Sequence, residues 1–286
     1  MKVGVIGAGA WGTALAIAVA RGGADVVLWS YDGMHKDFEG VQMPENIHIT
    51  TNMNDMHNMD TWFVVTPGAF FRETMRKARN AYNGQPIIIC TKGAESATGQ
   101  FMSEILNTEI PECADFGVLS GPQFAAEVAQ GEPTGSTLAG NNTAIVAGQG
   151  ALNKLYLETS HDIIGTQVCG VGKNAIALIC GYNSVKCAEN ERALIFTRAW
   201  NEVMAIGMAM GGQMRSFLGL CGIGDLFLSA TSATSRNFAG GMAIARGTPP
   251  QGTVEGICAL GGLVSRANDL GIDVPVLKEM QQKLSV

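Results

Sequence analysis

The hexapeptide Gly7-Ala8-Gly9-Ala10-Trp11-Gly12 stands between an apolar run at residues 2–6 and an Ala/Leu/Ile-rich stretch at residues 13–21. That stretch stops at Gly22-Gly23 before a second apolar run at residues 25–29. Short continuous apolar runs suit strands buried on both faces, and the stretch between them suits the crossover helix of a parallel unit. The spacing is G-x-G-x-x-G. Gly7 permits a tight turn, Gly9 lets the backbone approach a pyrophosphate, and Gly12 lets helix pack closely on strand, with the diphosphate at the helix N-terminus. At the start of a strand, turn, helix, strand unit the motif points to dinucleotide binding rather than to an ordinary glycine turn.

Further apolar runs at 61–66, 86–90 and 116–119 alternate with helix-like stretches such as 70–80 and 99–107. This is the pattern of a doubly wound parallel sheet. From about residue 165 the β-branched runs give way to Ala/Met/Leu-rich stretches at 173–187, 191–210, 239–245, 253–270 and 276–284. The fold class expected is an α/β, Rossmann-like N-terminal domain over residues 1–165 and an all-helical substrate and catalytic domain over 166–286, with the site in a cleft between them. A length of 286 residues accommodates two such cores.

Composition narrows the partners. A net charge of −6 argues against a broad basic face for nucleic acid, so an anionic substrate needs a local cationic pocket. Cys90, Cys113, Cys169, Cys180, Cys187, Cys221 and Cys258 include no C-x-x-C pair and sit mostly among apolar neighbours, which reads as reduced, buried thiols of a cytoplasmic protein. His35, His48, His57 and His161 are scattered, and no metal site is expected. Residues 2–20 imitate a secretory signal, but Gly7, Gly9 and Gly12 interrupt them at spacings with a better explanation. No other segment is expected to span a membrane, and the chain reads as soluble.

Several polar groups stand out against the apolar background. Lys92 follows an apolar strand, at the carboxyl edge where open parallel sheets place their chemistry. Gly170-Val171-Gly172-Lys173-Asn174 is expected to open the first long helix of the second domain. It is not a P-loop, because Gln167 replaces the first glycine and Asn174 the Ser/Thr. A lysine at a helix N-terminus opposes the dipole, which disfavours a purely stabilising role. Asp225 is an acid lined by Gly222 and Gly224, and Ser235, Arg236 and Asn237 offer a hydroxyl, a guanidinium and an amide suited to a phosphate dianion or, equally, to a capped surface turn. Asp32 lies at the distance from the glycine motif where an acid meets a ribose 2′-hydroxyl, although Ser30 or Tyr31 could stand closer to the strand end. No arginine follows that strand, which favours NAD over NADP; Lys36 and His35 add some charge, and the preference stays open.

Over nearly its whole length the chain resembles the bacterial type of NAD(P)-dependent glycerol-3-phosphate dehydrogenases. The motifs occur in family order: G-A-G-x-W-G-T-A-L-A at 7–16, T-K-G at 91–93, S-G-P-x-F-A-x-E-V at 120–128, G-K-N at 172–174, G-x-G-D-L at 222–226, T-S-x-x-S-R-N at 231–237 and V-E-G at 254–256. The resemblance implies that Lys173 is the general acid/base, with Lys92 beside it and Asp225 completing the polar site. It also implies that Gly121, Gln123, Ser235, Arg236 and Asn237 contact glycerol phosphate. Ala10, Trp11, Tyr31, Lys92, Ala125, Arg236 and Glu255 would border the nucleotide. The implied reaction interconverts dihydroxyacetone phosphate and sn-glycerol 3-phosphate with NAD or NADP, supplying glycerol phosphate for phospholipid synthesis. Burial and the Lys92 ammonium would lower the pKa of Lys173 toward one useful for proton transfer.

Some positions depart from the family pattern. Gln123 stands where a small hydroxyl residue is commoner, Tyr31 replaces a basic or imidazole side chain, the segment after Asp32 is short, and relatives usually continue beyond the position of Val286. The partners expected are a small phosphorylated three-carbon substrate and a second copy of the chain in a homodimer, without nucleic acid or membrane insertion. Two rivals remain. A related two-domain dehydrogenase of 3-hydroxy acids or sugar acids would lack a use for the Ser-Arg-Asn cluster, and a non-catalytic nucleotide sensor would lack one for Lys92, Lys173 and Asp225.

Overall fold

The computed structural model describes residues 1–95, 98–252 and 254–284. Residue 253, the first of the expected helix 253–270, and the chain end at Val286 lie outside the described residues. The first part of the chain runs β1 (Lys2–Ile6), α1 (Ala10–Arg21), β2 (Asp25–Trp29), β3 (Ile47–Thr50), β4 (Thr61–Val64), α2 (Gly68–Ala78), β5 (Ile87–Ile89), α3 (Met102–Glu109), β6 (Phe116–Ser120), α4 (Ala125–Gln130), β7 (Gly135–Gly140), α5 (Asn142–Ala151) and β8 (Tyr156–Ser160). The remainder is helical: α6 (Ile163–Lys186), α7 (Glu189–Ala209), α8 (Met214–Leu218), a π turn (Leu220–Gly224), α9 (Asp225–Thr231), α10 (Arg236–Ala245), α11 (Glu255–Asp269) and α12 (Pro275–Leu284).

The strands form one sheet in the order β3-β2-β1-β4-β5-β6-β7-β8. β1 pairs in parallel with both β2 and β4, so the chain reverses direction across the sheet on either side of its first strand. Alternate side chains of each strand enter different cores. Val3, Val5, Phe63 and Ile88 pack with Leu15 and Val19 of α1, whereas Ile6, Trp62, Val64, Ile87 and Ile89 pack with Phe71 and Met75 of α2 and Ile105 of α3. Two buried faces explain the unbroken apolar runs. Three strands carry too weak a signal to be read from sequence. β3 is half-exposed, β7 is Gly-Ser-Thr-Leu-Ala-Gly, and the edge strand β8 is largely solvated.

Two compact units divide the chain. One comprises Met1–Thr91, Met102–Leu119 and Gln123–Ile163; the other comprises Lys92–Phe101, Ser120–Pro122 and Ile164–Val286. The helical unit thus recruits two short pieces from inside the sheet-forming sequence, which a single cut near residue 165 does not express. Ala94 and Phe101 are buried in the helical core, where the Arg266 guanidinium of α11 lies 5.2 Å from the Phe101 ring centroid.

The expectation that a helix opens at Lys173 is wrong. α6 begins at Ile163, so Lys173 lies at its centre and the dipole cost argued for a helix end does not apply. Gly170 and Gly172 lie within the helix rather than opening it, and Gly172 is a contact point: a Cβ there would sit 2.4 Å from Val203 Cγ1 of α7. α6 meets the length and composition of a membrane-crossing helix, although Lys173 interrupts its apolar run. Its most apolar window is 78% buried, as a core helix is. Among the cysteines, Cys90, Cys113, Cys169 and Cys221 are buried as expected, but Cys258 is exposed.

Candidate functional site

In the sheet unit, the glycine turn has the geometry its spacing requires. Gly7 adopts φ +115°, and its N–H donates to the Trp29 carbonyl at 3.0 Å, placing the turn beside the end of β2. A Cβ at Gly12 would lie 1.8 Å from the Gly7 carbonyl oxygen, so only glycine allows α1 to start so close to the strand. Gly9 is different, because a Cβ there would meet nothing within 4 Å. It is the N-cap of α1, no side chain caps the helix, and no acid stands in its first turn. Free amide donors, an uncompensated dipole and open space fit the pyrophosphate of a dinucleotide. Ala10 and Trp11 form the start of α1, Ala125 opens α4, and Tyr31 lies exposed beyond β2.

In the helical unit, three of the expected residues converge. Lys92 Nζ donates to Asp225 Oδ2 at 2.6 Å and to the Gly121 carbonyl at 3.2 Å. Lys173 Nζ lies 3.2 Å from Asp225 Oδ1 and donates to Ser229 Oγ at 3.0 Å. Asp225 is 1% exposed, while the two lysine side chains retain 18% and 15%. Burial alone would raise the Asp225 carboxyl, but the Lys173 and Lys92 ammonium groups outweigh it and hold the group below the ordinary carboxylate range. Lys173 is driven the other way. Burial lowers its pKa most, the Lys92 ammonium adds to that, and Asp225 and Glu255 oppose it. Two ammonium groups on one buried carboxylate leave net positive charge in a low-dielectric place, which suits an anionic substrate.

Local structure explains the convergence. Lys173 projects from the middle of α6, whose glycines permit close packing. Asp225 opens α9 directly after the π turn, where a carboxylate is favoured by the helix dipole. Ser229, four residues later, falls on the same helix face and donates to Asp225 Oδ1 at 3.3 Å. Sequence reasoning overlooked Ser229, although the i,i+4 spacing from Asp225 was a usable signal. It also left Asn174 without a role. Asn174 Oδ1 accepts from Asn237 Nδ2 at 2.9 Å, and Asn237 Oδ1 accepts from the Gly256 N–H at 2.9 Å. This buried bridge ties the Ser-Arg-Asn segment to the residue after Lys173. Ser235 is buried and caps α10 by accepting from the Phe238 N–H at 3.4 Å. Arg236 is exposed on the first turn of α10, outside the hydrogen bonds of the lysine cluster. Gln123 is half-buried, and its Nε2 has no hydrogen-bond partner.

Known proteins resemble both halves of the chain. A family model described as NAD-dependent glycerol-3-phosphate dehydrogenase N-terminus matches residues 2–146, and the corresponding C-terminus model matches residues 162–285. A glycerol-3-phosphate dehydrogenase [NAD(P)+] of Afipia carboxidovorans is 36% identical, over 99% of this chain and 92% of the relative. Another of the same name, from Methylobacillus flagellatus, is 33% identical over 100% and 93%. Among solved structures, glycerol-3-phosphate dehydrogenase from Coxiella burnetii superposes with a TM-score of 0.90 at 27% identity, covering 99% of this chain and 94% of that one.

Proposed function

Because the chain belongs to the NAD-dependent glycerol-3-phosphate dehydrogenase family, we propose that it reduces dihydroxyacetone phosphate to sn-glycerol 3-phosphate, and catalyses the reverse, with NAD(H) or NADP(H). The observation that carries this reading is the Lys92, Asp225, Lys173 cluster, with both ammonium groups on one buried carboxylate. The division of labour follows the two units: the sheet unit holds the nucleotide and the helical unit holds the substrate.

The bound nicotinamide supplies the hydride. The protein's own work is to place a proton and neutralise charge. Lys173, with a pKa lowered by burial and by Lys92, donates its proton to the C2 oxygen as the alkoxide develops, and accepts it in the reverse direction. Asp225 orients both ammonium groups, and Ser229 fixes the Lys173 head. Lys92, joined to the Gly121 carbonyl, adds positive charge beside the reacting oxygen. Arg236 and the first turn of α10, with Ser235 and Asn237, bind the phosphate dianion, an anion at a helix N-terminus.

Loss of reduced-nicotinamide absorbance on mixing with dihydroxyacetone phosphate, followed with NADH and NADPH in parallel, tests substrate and reaction together. Turnover with either supports the proposal, and failure with both overturns it. The relatives favour neither a 3-hydroxy-acid or sugar-acid dehydrogenase nor a non-catalytic sensor.

A further inference from the structure

The relatives are named for use of either nicotinamide nucleotide, and the end of β2 bears on which one this chain takes. Because the Gly7 N–H donates to the Trp29 carbonyl, the residues directly after Trp29 flank the glycine turn, and these are Ser30, Tyr31 and Asp32. Tyr31 is 79% exposed and Phe70, on the first turn of α2, is 60% exposed. Phe70, Glu73 and Lys77 follow one another at i, i+3 and i+7, a single stripe along α2. Lys77 Nζ lies 5.3 Å from the Tyr31 ring centroid, so that stripe faces the residues after β2. Exposed aromatic rings in such a place offer flat faces for a base.

The charges around these rings are committed. Lys77 Nζ is paired with Glu73 Oε1 at 2.6 Å while it lies over Tyr31. Asp32 Oδ1 accepts from Ser30 Oγ and from the Met34 N–H, both at 3.0 Å, leaving Oδ2 without a hydrogen bond among the described residues. The Met34 amide and the Ser30 hydroxyl hold this carboxyl below its ordinary range, so it is ionised at neutral pH. The segment 31–40 adds Asp37 and Glu39 against Lys36, and His35 lies 3.4 Å from Asp37. The balance is negative.

We infer that this edge selects NAD(H) over NADP(H): Asp32 accepts from the ribose 2′-hydroxyl, Tyr31 and Phe70 flank the adenine, and Glu73 withholds the Lys77 ammonium from a 2′-phosphate. The inference rests on the dinucleotide reading above and makes it specific. A diol donates to a carboxylate, whereas a phosphate dianion within about 6 Å of one in water is disfavoured about tenfold. A bare ammonium would reverse that sign, and here the ammonium is neutralised by its own helix.

The test is equilibrium binding of NADH and of NADPH to the unliganded full chain, read from nucleotide fluorescence at low ionic strength. NADH is expected to bind about tenfold tighter or more. Asp32→Asn is expected to weaken NADH and strengthen NADPH. Glu73→Gln, by freeing Lys77, is expected to strengthen NADPH several-fold, and adding Lys77→Met is expected to erase that gain. All three positions are exposed, so these changes leave the core intact. A parent chain that binds NADPH as tightly as NADH overturns the preference alone, as does an affinity ratio unmoved by both Asp32→Asn and Glu73→Gln. A parent that binds neither nucleotide overturns the dinucleotide reading and the preference with it.

Discussion

Lys173 holds its ammonium between the Asp225 carboxylate and the Ser229 hydroxyl, and its proton affinity is set by a contest that burial wins. Three outcomes follow at this scale. Under the proposed mechanism Lys173→Met removes the proton donor while leaving nucleotide binding in place, so kcat/KM for ketone reduction is expected to fall about 10²–10⁴-fold in steady-state assays. Lys92→Met removes a neighbouring positive charge that lowers the Lys173 pKa, so that pKa rises. In that mechanism reduction needs Lys173 protonated and is lost as pH climbs through its pKa. The alkaline limb of the kcat/KM profile in Lys92→Met is therefore expected to move to higher pH, and a limb that stays put would remove Lys92 from any tuning role. Arg236→Ala is expected to raise KM for dihydroxyacetone phosphate with little effect on the melting temperature, since Arg236 is exposed.

At the level of elements, α6 and α7 meet through the missing side chain of Gly172. Alanine would improve helix propensity by about 1 kcal/mol, but its Cβ would reach 2.4 Å from Val203 Cγ1. Overpacking of that kind costs about 1–3 kcal/mol, so net destabilisation is expected on denaturant titration of Gly172→Ala. Adding Val203→Ala should show favourable coupling in a double-mutant cycle. The sheet unit joins α2 to α3 by charge: Glu109 Oε1 accepts from Arg72 at 2.9 Å and from Arg76 at 3.1 Å. Burial alone would raise the Glu109 carboxyl, yet Arg76 and Arg72 keep it below the ordinary value. A carboxyl with a depressed folded-state pKa contributes stability that is fully present above its unfolded value and fades as pH falls through the folded one. Glu109→Gln is expected to cost about 1–2 kcal/mol near neutral pH and to flatten the acid side of the stability profile, as followed by circular dichroism.

Across the whole molecule, the recruited segments matter most. Residues 92–101 bring Lys92 to Asp225 and bury Ala94 and Phe101 in the helical core. A fragment of residues 164–286 alone would lack both the second lysine and that apolar cover. It is expected to bind a hydrophobic dye and to melt well below the full chain, and native-like melting of the fragment would contradict this account. The nucleotide motif, the alternation of strand and helix, and the polar residues of the lysine–aspartate cluster were legible in the linear order of residues. Each depends on spacing over a few residues or on apolar runs that only a doubly covered sheet can bury. The edge strands β3 and β8 were not legible, because half-exposed strands lack that signal, and the start of α6 was misread because glycine is a turn former locally and a packing device in a crowded core. Sequence alone therefore determined which chemical groups this protein has and which unit each segment mostly builds. Only the tertiary structure decided that two lysines 81 positions apart share one buried carboxylate and that Glu73 rather than solvent neutralises Lys77. Charge coupling depends on distance and burial in space, and neither is encoded by separation along the chain.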